Sequence, residues 1–323
     1  MLIIRHIDDP TLALVGSSVT LGNFDGIHVG HQALIKNAVN DAQRLGLRSA
    51  VLTFEPHPLR ILAPERAPKM LLTHKDKMQL LQSLGIDYVV IQQFDRSFAS
   101  IGAEEFVRKY LIERLRAKKV WVGKDLRFGK GRAGDVDKLR IWGEQSGFEV
   151  GVVEPVMVSG ERVSSSRIRE LLVAGKVAAV QPMLARYYFV SGKVVPGHRR
   201  GRDIGFPTAN IASRAEILPR DGIYATMFHI GQNTLPSVTS IGLNPTFGAG
   251  GSRTIESYIL NFDREIYGES VKLSFLARLR EEKNFASVEL LIEQIRRDVA
   301  EAEALLTSVV SSSCFSDAPK SEI

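Results

Sequence analysis

Cysteine is almost absent from this sequence. The one cysteine among 323 residues, Cys314, stands in a polar stretch near the C-terminus. A single cysteine cannot form a disulfide within the chain. This excludes a fold stapled by disulfides and favours a reducing compartment.

Long apolar runs are also missing. No segment reaches the roughly eighteen consecutive apolar residues that a membrane-spanning helix requires. The first residues, Met-Leu-Ile-Ile-Arg-His, lack the apolar core of a secretory signal. We therefore expect a soluble, cytoplasmic protein with no membrane partner.

Charge of one sign is not concentrated anywhere in the chain. The net charge is +6, but the basic residues are scattered. Nucleic-acid-binding surfaces cluster Lys and Arg, so we expect no nucleic-acid partner, and a protein that binds phosphates accounts for the mild positive charge. With 44% hydrophobic residues, a chain of this length is expected to form two domains with separate cores.

The first half of the chain alternates apolar runs with helical patterns. The predicted strands span residues 15–21, 49–54, 88–91, 120–122 and 148–153, and the predicted helices span residues 34–45, 75–84 and 103–115. Val15 is counted in the first buried strand, and Leu45 in the apolar face of the first helix. This alternation predicts an α/β fold with a doubly wound parallel sheet, in which ligands bind beyond the carboxyl ends of the strands.

In the second half, the apolar residues no longer follow a helical period but alternate with polar residues. The predicted strands span residues 188–195, 222–230, 237–241, 255–262 and 271–279, and a helix with one apolar face follows at 288–306. Successive strands without helices between them predict an antiparallel sheet or small β-barrel with a terminal helix. The predicted domains are residues 1–185 and 186–306, and the polar segment 307–323 is predicted to be disordered.

The most informative stretch, residues 19–31, combines a strand end, a glycine-rich turn and a helix that opens on two histidines. The glycines, beginning with Gly22, allow close backbone approach, and the helix N-terminus favours anions. His28 and His31 are three residues apart, so both imidazoles can face one ligand. The alternatives are two polar surface residues or half of a metal site, but further metal ligands at suitable spacing are missing. The string Gly-Asn-Phe-Asp-Gly followed by His-x-Gly-His resembles the nucleotidylyltransferase superfamily.

A second phosphate-binding candidate runs Ser164-Ser165-Ser166-Arg167-Ile168-Arg169. Three hydroxyls, a helix start and Arg169 one turn later are suited to a polyphosphate. A capped helix start without a ligand is the simpler alternative. The segment resembles the Ser-Ser-Thr-x-Ile-Arg signature of adenylyltransferases, with Ser166 in place of threonine.

Two motifs of the second half carry oxygen and carboxylate groups. The first, residues 197–210, ends in Phe-Pro-Thr-Ala-Asn, where Thr208 and Asn210 offer oxygen ligands for Mg²⁺. Its glycines and arginines are expected to fold over phosphates, although a flexible basic loop is the alternative. These residues are Gly197, Gly201, Arg202 and Gly205. The second motif is a strand with Glu256, a candidate general base if it faces inward; periodicity does not settle its direction.

Residues 15 to about 305 resemble the prokaryotic bifunctional riboflavin kinase/FMN adenylyltransferase family. The strings that carry the resemblance occur in the family's order: 22–31, 54–58, 123–129, 164–169, 205–210, 244–247, 256–262 and 279–281. The resemblance implies that the first domain adenylylates FMN with ATP, giving FAD and pyrophosphate, and that the second phosphorylates riboflavin to FMN. ATP is then the co-substrate and Mg²⁺ the cofactor.

The resemblance also implies residue roles. In the first domain His28 and His31 would hold the triphosphate, and the serines and Arg169 its distal phosphates. Further nucleotide contacts would come from Gly22, Asn23, Phe24 and Asp125, with the cation as the alternative partner of Asn23 and Asp125. The flavin or nucleotide pocket would be lined by Phe54, Pro56, His57 and Pro58.

In the second domain Glu256 would accept the proton of the riboflavin hydroxyl, with Mg²⁺ on Thr208 and Asn210. Arg280 would touch flavin or nucleotide, or else form a structural salt bridge. One alternative is a monofunctional adenylyltransferase with a flavin-binding second domain, and another is a nucleotide-binding regulator without enzymatic activity. The sequence leaves the oligomeric state open.

Overall fold

The computed structural model describes residues 1–9, 11–12, 14–197, 200–243 and 253–311, which form two compact units. The first unit comprises Met1–Met70 and His74–Ser165. The second comprises Leu71–Thr73 and the described residues from Ser166 onward.

The first unit alternates strands and helices as the sequence predicts. In chain order its elements are β1 (Leu2–Ile4), β2 (Ser17–Leu21), α1 (Val29–Leu45), β3 (Arg48–Glu55), α2 (Pro58–Leu62), α3 (His74–Ser83), β4 (Tyr88–Gln93), α4 (Arg96–Ala99), α5 (Ala103–Phe106), a π-helix (Val107–Arg114), β5 (Ala117–Gly123), α6 (Val136–Ser146), β6 (Glu149–Val153), β7 (Met157–Val158) and β8 (Glu161–Arg162). The chain enters the second unit through α7 (Ser165–Val173).

A parallel sheet of six strands, in the order β1-β4-β3-β2-β5-β6, forms the centre of the first unit. The chain runs outward from β2 through β3 to β4 and returns to the other side of β2 with β5. The strand order therefore reverses at β2, and a ligand crevice is expected beyond its carboxyl end. All five β2 residues are buried, as suits a central strand.

Two residues that were predicted to be buried, Val15 and Leu45, are exposed in the structure. Val15 precedes β2 and is 93% exposed, so its inclusion in the first strand was wrong. Leu45 is 45% exposed because it ends α1, next to Gly46, whose left-handed φ of 65° closes the helix. Strand β1 was not predicted, since three residues are too few to show a period.

The second unit is a closed antiparallel barrel with helices around it. After α7 its elements are α8 (Val177–Leu184), β9 (Tyr188–Val195), α9 (Arg200–Asp203), β10 (Thr208–Ser213), β11 (Gly222–Ile230), β12 (Asn233–Leu243), β13 (Arg253–Ile259), β14 (Ser270–Arg280) and α10 (Val288–Ser311). The barrel order is β10-β13-β12-β11-β14-β9. The predicted strands are present; β10, which carries Thr208 and Asn210, was not predicted as a strand.

Hydroxyl groups fill one part of the barrel interior. Thr226, Ser237, Thr239 and Ser257 are all 0% exposed. Thr226 Oγ1 lies 2.7 Å from Ser237 Oγ and 2.6 Å from Thr239 Oγ1, and Thr239 Oγ1 donates to Ser257 Oγ at 3.0 Å. Each hydroxyl thus has a partner, which avoids the cost of a buried unpaired polar group.

The terminal helix α10 extends further than the predicted helix, to Ser311. The remainder of the predicted tail, 312–323, lies outside the described residues. Ala302 and Leu306 of α10 join the apolar cluster of the barrel. None of the described helices has the length and apolarity needed to cross a membrane.

A buried ion pair also anchors α10. Arg280 donates to Asp298 through Nε at 2.8 Å and through Nη2 at 2.7 Å, and Gln294 Nε2 donates to the same carboxylate at 2.9 Å. The exposed fractions of the two charged side chains are only 14% for Arg280 and 4% for Asp298.

Substitution of one partner should therefore destabilise the second unit. We expect Asp298→Ala to cost about 3–5 kcal/mol, because it leaves the Arg280 guanidinium buried without its counter-charge. Calorimetry should show a melting temperature lower by about 10 °C. Glu301→Ala, at an exposed position of the same helix, is the control and should shift it little. Equal melting temperatures for the two variants would contradict the assigned role.

Candidate active sites

The loop after β2 lies at the point where the strand order of the first unit reverses. Gly22 N–H still donates to Leu52 of β3 at 3.1 Å, and the chain then turns sharply. Phe24, Gly26 and Ile27 have left-handed φ values of 49°, 81° and 42°. The buried Phe24 and Ile27 side chains fix this turn before α1 begins.

The two histidines of the motif stand together at the start of α1. His28 caps the helix, and its Nδ1 accepts a hydrogen bond from the His31 backbone N–H at 3.3 Å. Their rings stack with centroids 3.7 Å apart, and the Phe24 ring meets His31 edge-on at 5.3 Å. Spacing of three residues therefore places both imidazoles on one helical turn.

His31 is held in its neutral form. Burial lowers its pKa well below the usual value, and the neighbouring charges of His28 and Lys77 act in the same direction. Its buried Nδ1 has no hydrogen-bond partner in the described part of the chain. Such an imidazole presents uncharged ring nitrogens to a ligand.

The two sequence loops 22–31 and 54–58 meet in the structure. Asn23 Nδ2 lies 3.2 Å from Nε2 of His57, which caps α2 through its Nδ1 at 3.2 Å from the Leu59 N–H. Pro58 is the first residue of α2, directly after His57, and Pro56 directly precedes it. Phe54 lies near the end of β3, its ring 5.7 Å from that of Phe98.

The serine motif is divided between the two units. Ser165 Oγ donates to the backbone oxygen of Asp25 at 2.8 Å, so this serine contacts the histidine loop. Ser164 belongs to the same unit, whereas Ser166 and Arg169 lie in the part of α7 assigned to the second unit.

Asp125, predicted to contact nucleotide or cation, is engaged elsewhere in this structure. Its carboxylate forms an ion pair with Arg162, and both side chains are 57% exposed. An exposed pair of this kind adds little stability, so a ligand can displace it at small cost.

In the second unit, strand pairing brings the oxygen and carboxylate groups together. Asn210 of β10 is directly opposite Glu256 of β13, and Thr208 Oγ1 donates to Glu256 Oε2 at 3.4 Å. Ile255, Ser257 and Ile259 are buried, so Glu256 lies on the opposite, outer face of the barrel wall. The condition that Glu256 face inward is therefore not met, and the candidate site lies on the outer surface of the barrel.

The glycine-rich segment before β10 approaches the same surface. A Cβ on Gly197 would lie 2.1 Å from Asn210 Nδ2, so only glycine fits without displacing that amide. Gly201 and Arg202 lie in α9, and Gly205 follows with a φ of 85°.

A second carboxylate, Glu282, was missed by the sequence analysis. Ser240 is opposite Glu256 in the pairing of β12 with β13, and its Oγ donates to Glu282 Oε1 at 3.4 Å. Burial raises the pKa of Glu282, and the nearby charges of Asp221 and Glu256 also raise it. The signal in the sequence was only a second glutamate after Arg280-Glu281. Arg280 itself is bound to Asp298, the structural alternative that the sequence left open.

The string 244–247 lies outside the described residues. In the described part of the chain, no group of three His, Cys, Asp or Glu side chains is placed to hold a metal ion. Mg²⁺ bound with a nucleotide needs fewer protein ligands, because waters and phosphates complete its shell. The hydroxyl of Thr208 and the amide oxygen of Asn210, beside the Glu256 carboxylate, fit that requirement.

The neutral state of His31 can be measured directly. NMR titration should give a His31 pKa below about 6.5, the reference value for histidine. Because the unfolded chain then binds the proton more readily, stability should fall as the pH drops from the unfolded toward the folded pKa. A midpoint at or above the reference value would refute the assignment.

Comparisons with known proteins match both units. The sequence model of the FAD synthetase family matches residues 12–167, and that of the riboflavin kinase family matches residues 184–306. The bifunctional riboflavin kinase/FMN adenylyltransferase of Escherichia coli is 37% identical over 284 residues, which cover 88% of this chain and 90% of that protein. The protein of the same name from Haemophilus influenzae is 33% identical, covering 95% of this chain and all of its own length.

A crystal structure from Streptococcus pneumoniae, described as a macrolide-efflux protein, has a similar fold. The two structures superimpose with a TM-score of 0.84 and 31% sequence identity, and the match covers 94% of this chain and 98% of that chain. That description names a different activity, and it applies to that protein. The matches to two enzyme families in succession, and to full-length relatives that carry both, show that this chain belongs to the bifunctional riboflavin kinase/FMN adenylyltransferase family.

Proposed function

We propose that this chain phosphorylates riboflavin to FMN with ATP and then transfers the adenylyl group of a second ATP to FMN, giving FAD and pyrophosphate. The observation that carries the proposal is the succession of family matches, 12–167 and 184–306, which include the candidate site residues of the two activities except Arg169, two positions beyond the first match. The match to the kinase family favours two activities over a monofunctional adenylyltransferase. We assign adenylyl transfer to residues 1–185 and the kinase to 186–306, in the cytoplasm.

Adenylyl transfer needs positioning more than covalent chemistry. An oxygen of the FMN phosphate attacks the α-phosphorus of ATP in line, and pyrophosphate leaves. We assign His28 and His31 to the triphosphate, where imidazole N–H groups donate to phosphate oxygens as charge develops. The helix N-terminus that His28 caps adds a favourable dipole.

We assign further ATP contacts to two groups of residues. The serines and Arg169 would bind the distal phosphates, and the nucleotide would contact Gly22, Asn23, Phe24 and Asp125. The loop of Phe54, Pro56, His57 and Pro58 is assigned to the flavin or nucleotide pocket, which the Asn23–His57 contact supports.

In the kinase, Glu256 is proposed as the general base, acting from the outer face of the barrel wall and not from its interior, because Thr208 and Asn210 lie beside it there. Its carboxylate accepts the proton of the ribityl 5′-hydroxyl as that oxygen attacks the γ-phosphorus, and ADP leaves. Thr208 orients the carboxylate through its hydroxyl. Thr208 and Asn210 would hold Mg²⁺, which offsets charge on the transferring phosphate. Gly197, Gly201, Arg202 and Gly205 are assigned to the ATP phosphates.

A time course with purified protein tests the proposal directly. Incubated with riboflavin, ATP and Mg²⁺, the protein should form FMN first and FAD later, separated by chromatography. FMN without FAD would contradict the assignment of the histidine site. Conversion of added FMN alone would reduce the second unit to a binding module, and no turnover of either flavin would reject the enzymatic function.

Substitution of the general base should separate the two activities. We expect Glu256→Gln to lower riboflavin phosphorylation by about 100- to 10,000-fold, because the amide cannot accept the proton. Formation of FAD from added FMN should continue. Glu265→Gln, at an exposed position of the same unit, is the matched control. Phosphorylation by Glu256→Gln at the wild-type rate would exclude Glu256 as the base.

A further inference from the structure

The loop between β2 and α1 has a strained backbone. The left-handed φ angles of Phe24 and Ile27 are ones that residues with side chains rarely adopt. Such conformations persist only where neighbouring groups hold them, and they concentrate at functional sites. The groups that hold this loop therefore decide where the histidines and the Phe24 ring lie.

Side chains from outside the turn bind three of its carbonyl oxygens. The pairs are Asn23 O with Lys77 Nζ at 2.7 Å, Asp25 O with Ser165 Oγ at 2.8 Å, and Ile27 O with Gln32 Nε2 at 3.0 Å. Of the three donors, Lys77 alone is charged, and it comes from α3. The sequence analysis assigned no role to it.

The Lys77 ammonium ties three elements together. Besides Asn23 of the loop, it donates to Thr53 Oγ1 of β3 at 2.7 Å. Burial lowers the pKa of Lys77 to about 8, although the nearby carboxylates of Asp25 and Glu55 oppose the shift. Because burial of an ammonium group is costly, the two short hydrogen bonds to Asn23 and Thr53 stabilise its position.

Asn23 connects Lys77 to the loop that contains His57. Its backbone oxygen is fixed by Lys77, and its side-chain amide lies 3.2 Å from His57 Nε2. Displacement of Asn23 would therefore move both the histidine loop and the His57 loop.

We propose that Lys77 is a positioning residue for adenylyl transfer, holding the strained loop in the conformation that presents His28, His31 and Phe24 to the reacting phosphates. It acts through Asn23 and Thr53 and makes no bond to the transferred group. This role rests on the adenylyltransferase function proposed above.

The test is the kinetics of FAD formation from added FMN by the full chain. Lys77→Met keeps the bulk of the side chain but loses both hydrogen bonds, and kcat should fall by about 100-fold, the effect of misplacing reacting groups by about 1 Å. The KM values for ATP and FMN should change by less than about threefold. Lys77→Arg, which keeps charge and donors, should recover part of kcat.

Two internal controls accompany these variants. Lys75→Met removes an exposed lysine from the same helix and should leave kcat unchanged. Riboflavin phosphorylation by each variant should stay at the wild-type rate. Both tryptophans, Trp121 and Trp142, lie in the first unit, so near-ultraviolet circular dichroism reports its folding. If Lys77→Met loses that signal, Lys77→Gln, which retains an N–H donor, is measured instead.

The possible outcomes are distinct. A wild-type kcat in a folded Lys77→Met variant would overturn the positioning role. A raised KM with an unchanged kcat would also overturn it, because that result indicates a direct substrate contact. If the wild-type chain itself does not convert FMN to FAD, the failure belongs to the proposed function.

Discussion

The central place of β2 is the constraint on which the first unit depends. Its five buried residues pair with β3 on one side and β5 on the other, so the loop after it must open at the reversal of strand order. That loop carries the strained turn and the histidine pair. Burial of a continuous apolar strand thus fixes the location of a polar site, since parallel sheets expose ligand-binding groups at their carboxyl ends.

In the second unit, the position of the candidate site depends on strand register in a closed barrel. A closed barrel leaves little interior space, and here the interior holds apolar side chains and a paired set of hydroxyls. Antiparallel register then aligns Asn210 with Glu256 on the outer face. The site is therefore a surface feature of the wall, shaped by strand register and by the close approach of Gly197 to Asn210.

Much of the fold was predictable from residue patterns. Short apolar runs, alternation and helical periods identified most strands and helices of both units, because burial imposes those patterns. The errors concern elements whose place depends on pairing. β10 was not predicted as a strand, and it forms one because β9 and β13 pair with it on either side. Helix α10 continues past its apolar pattern and is anchored by the Arg280–Asp298 pair.

By itself, the sequence determined the class of each domain, the family and the motifs that we assign to phosphates, because the spacing of glycine, histidine, serine and carboxylate residues can be read along the chain. Tertiary structure alone decided that Glu256 lies on the outer face, that Arg280 binds Asp298, and that Lys77 reaches Asn23 across 54 positions. These contacts join elements distant in sequence, and no local period encodes them. Their geometry exists only once sheet order and barrel register have been set.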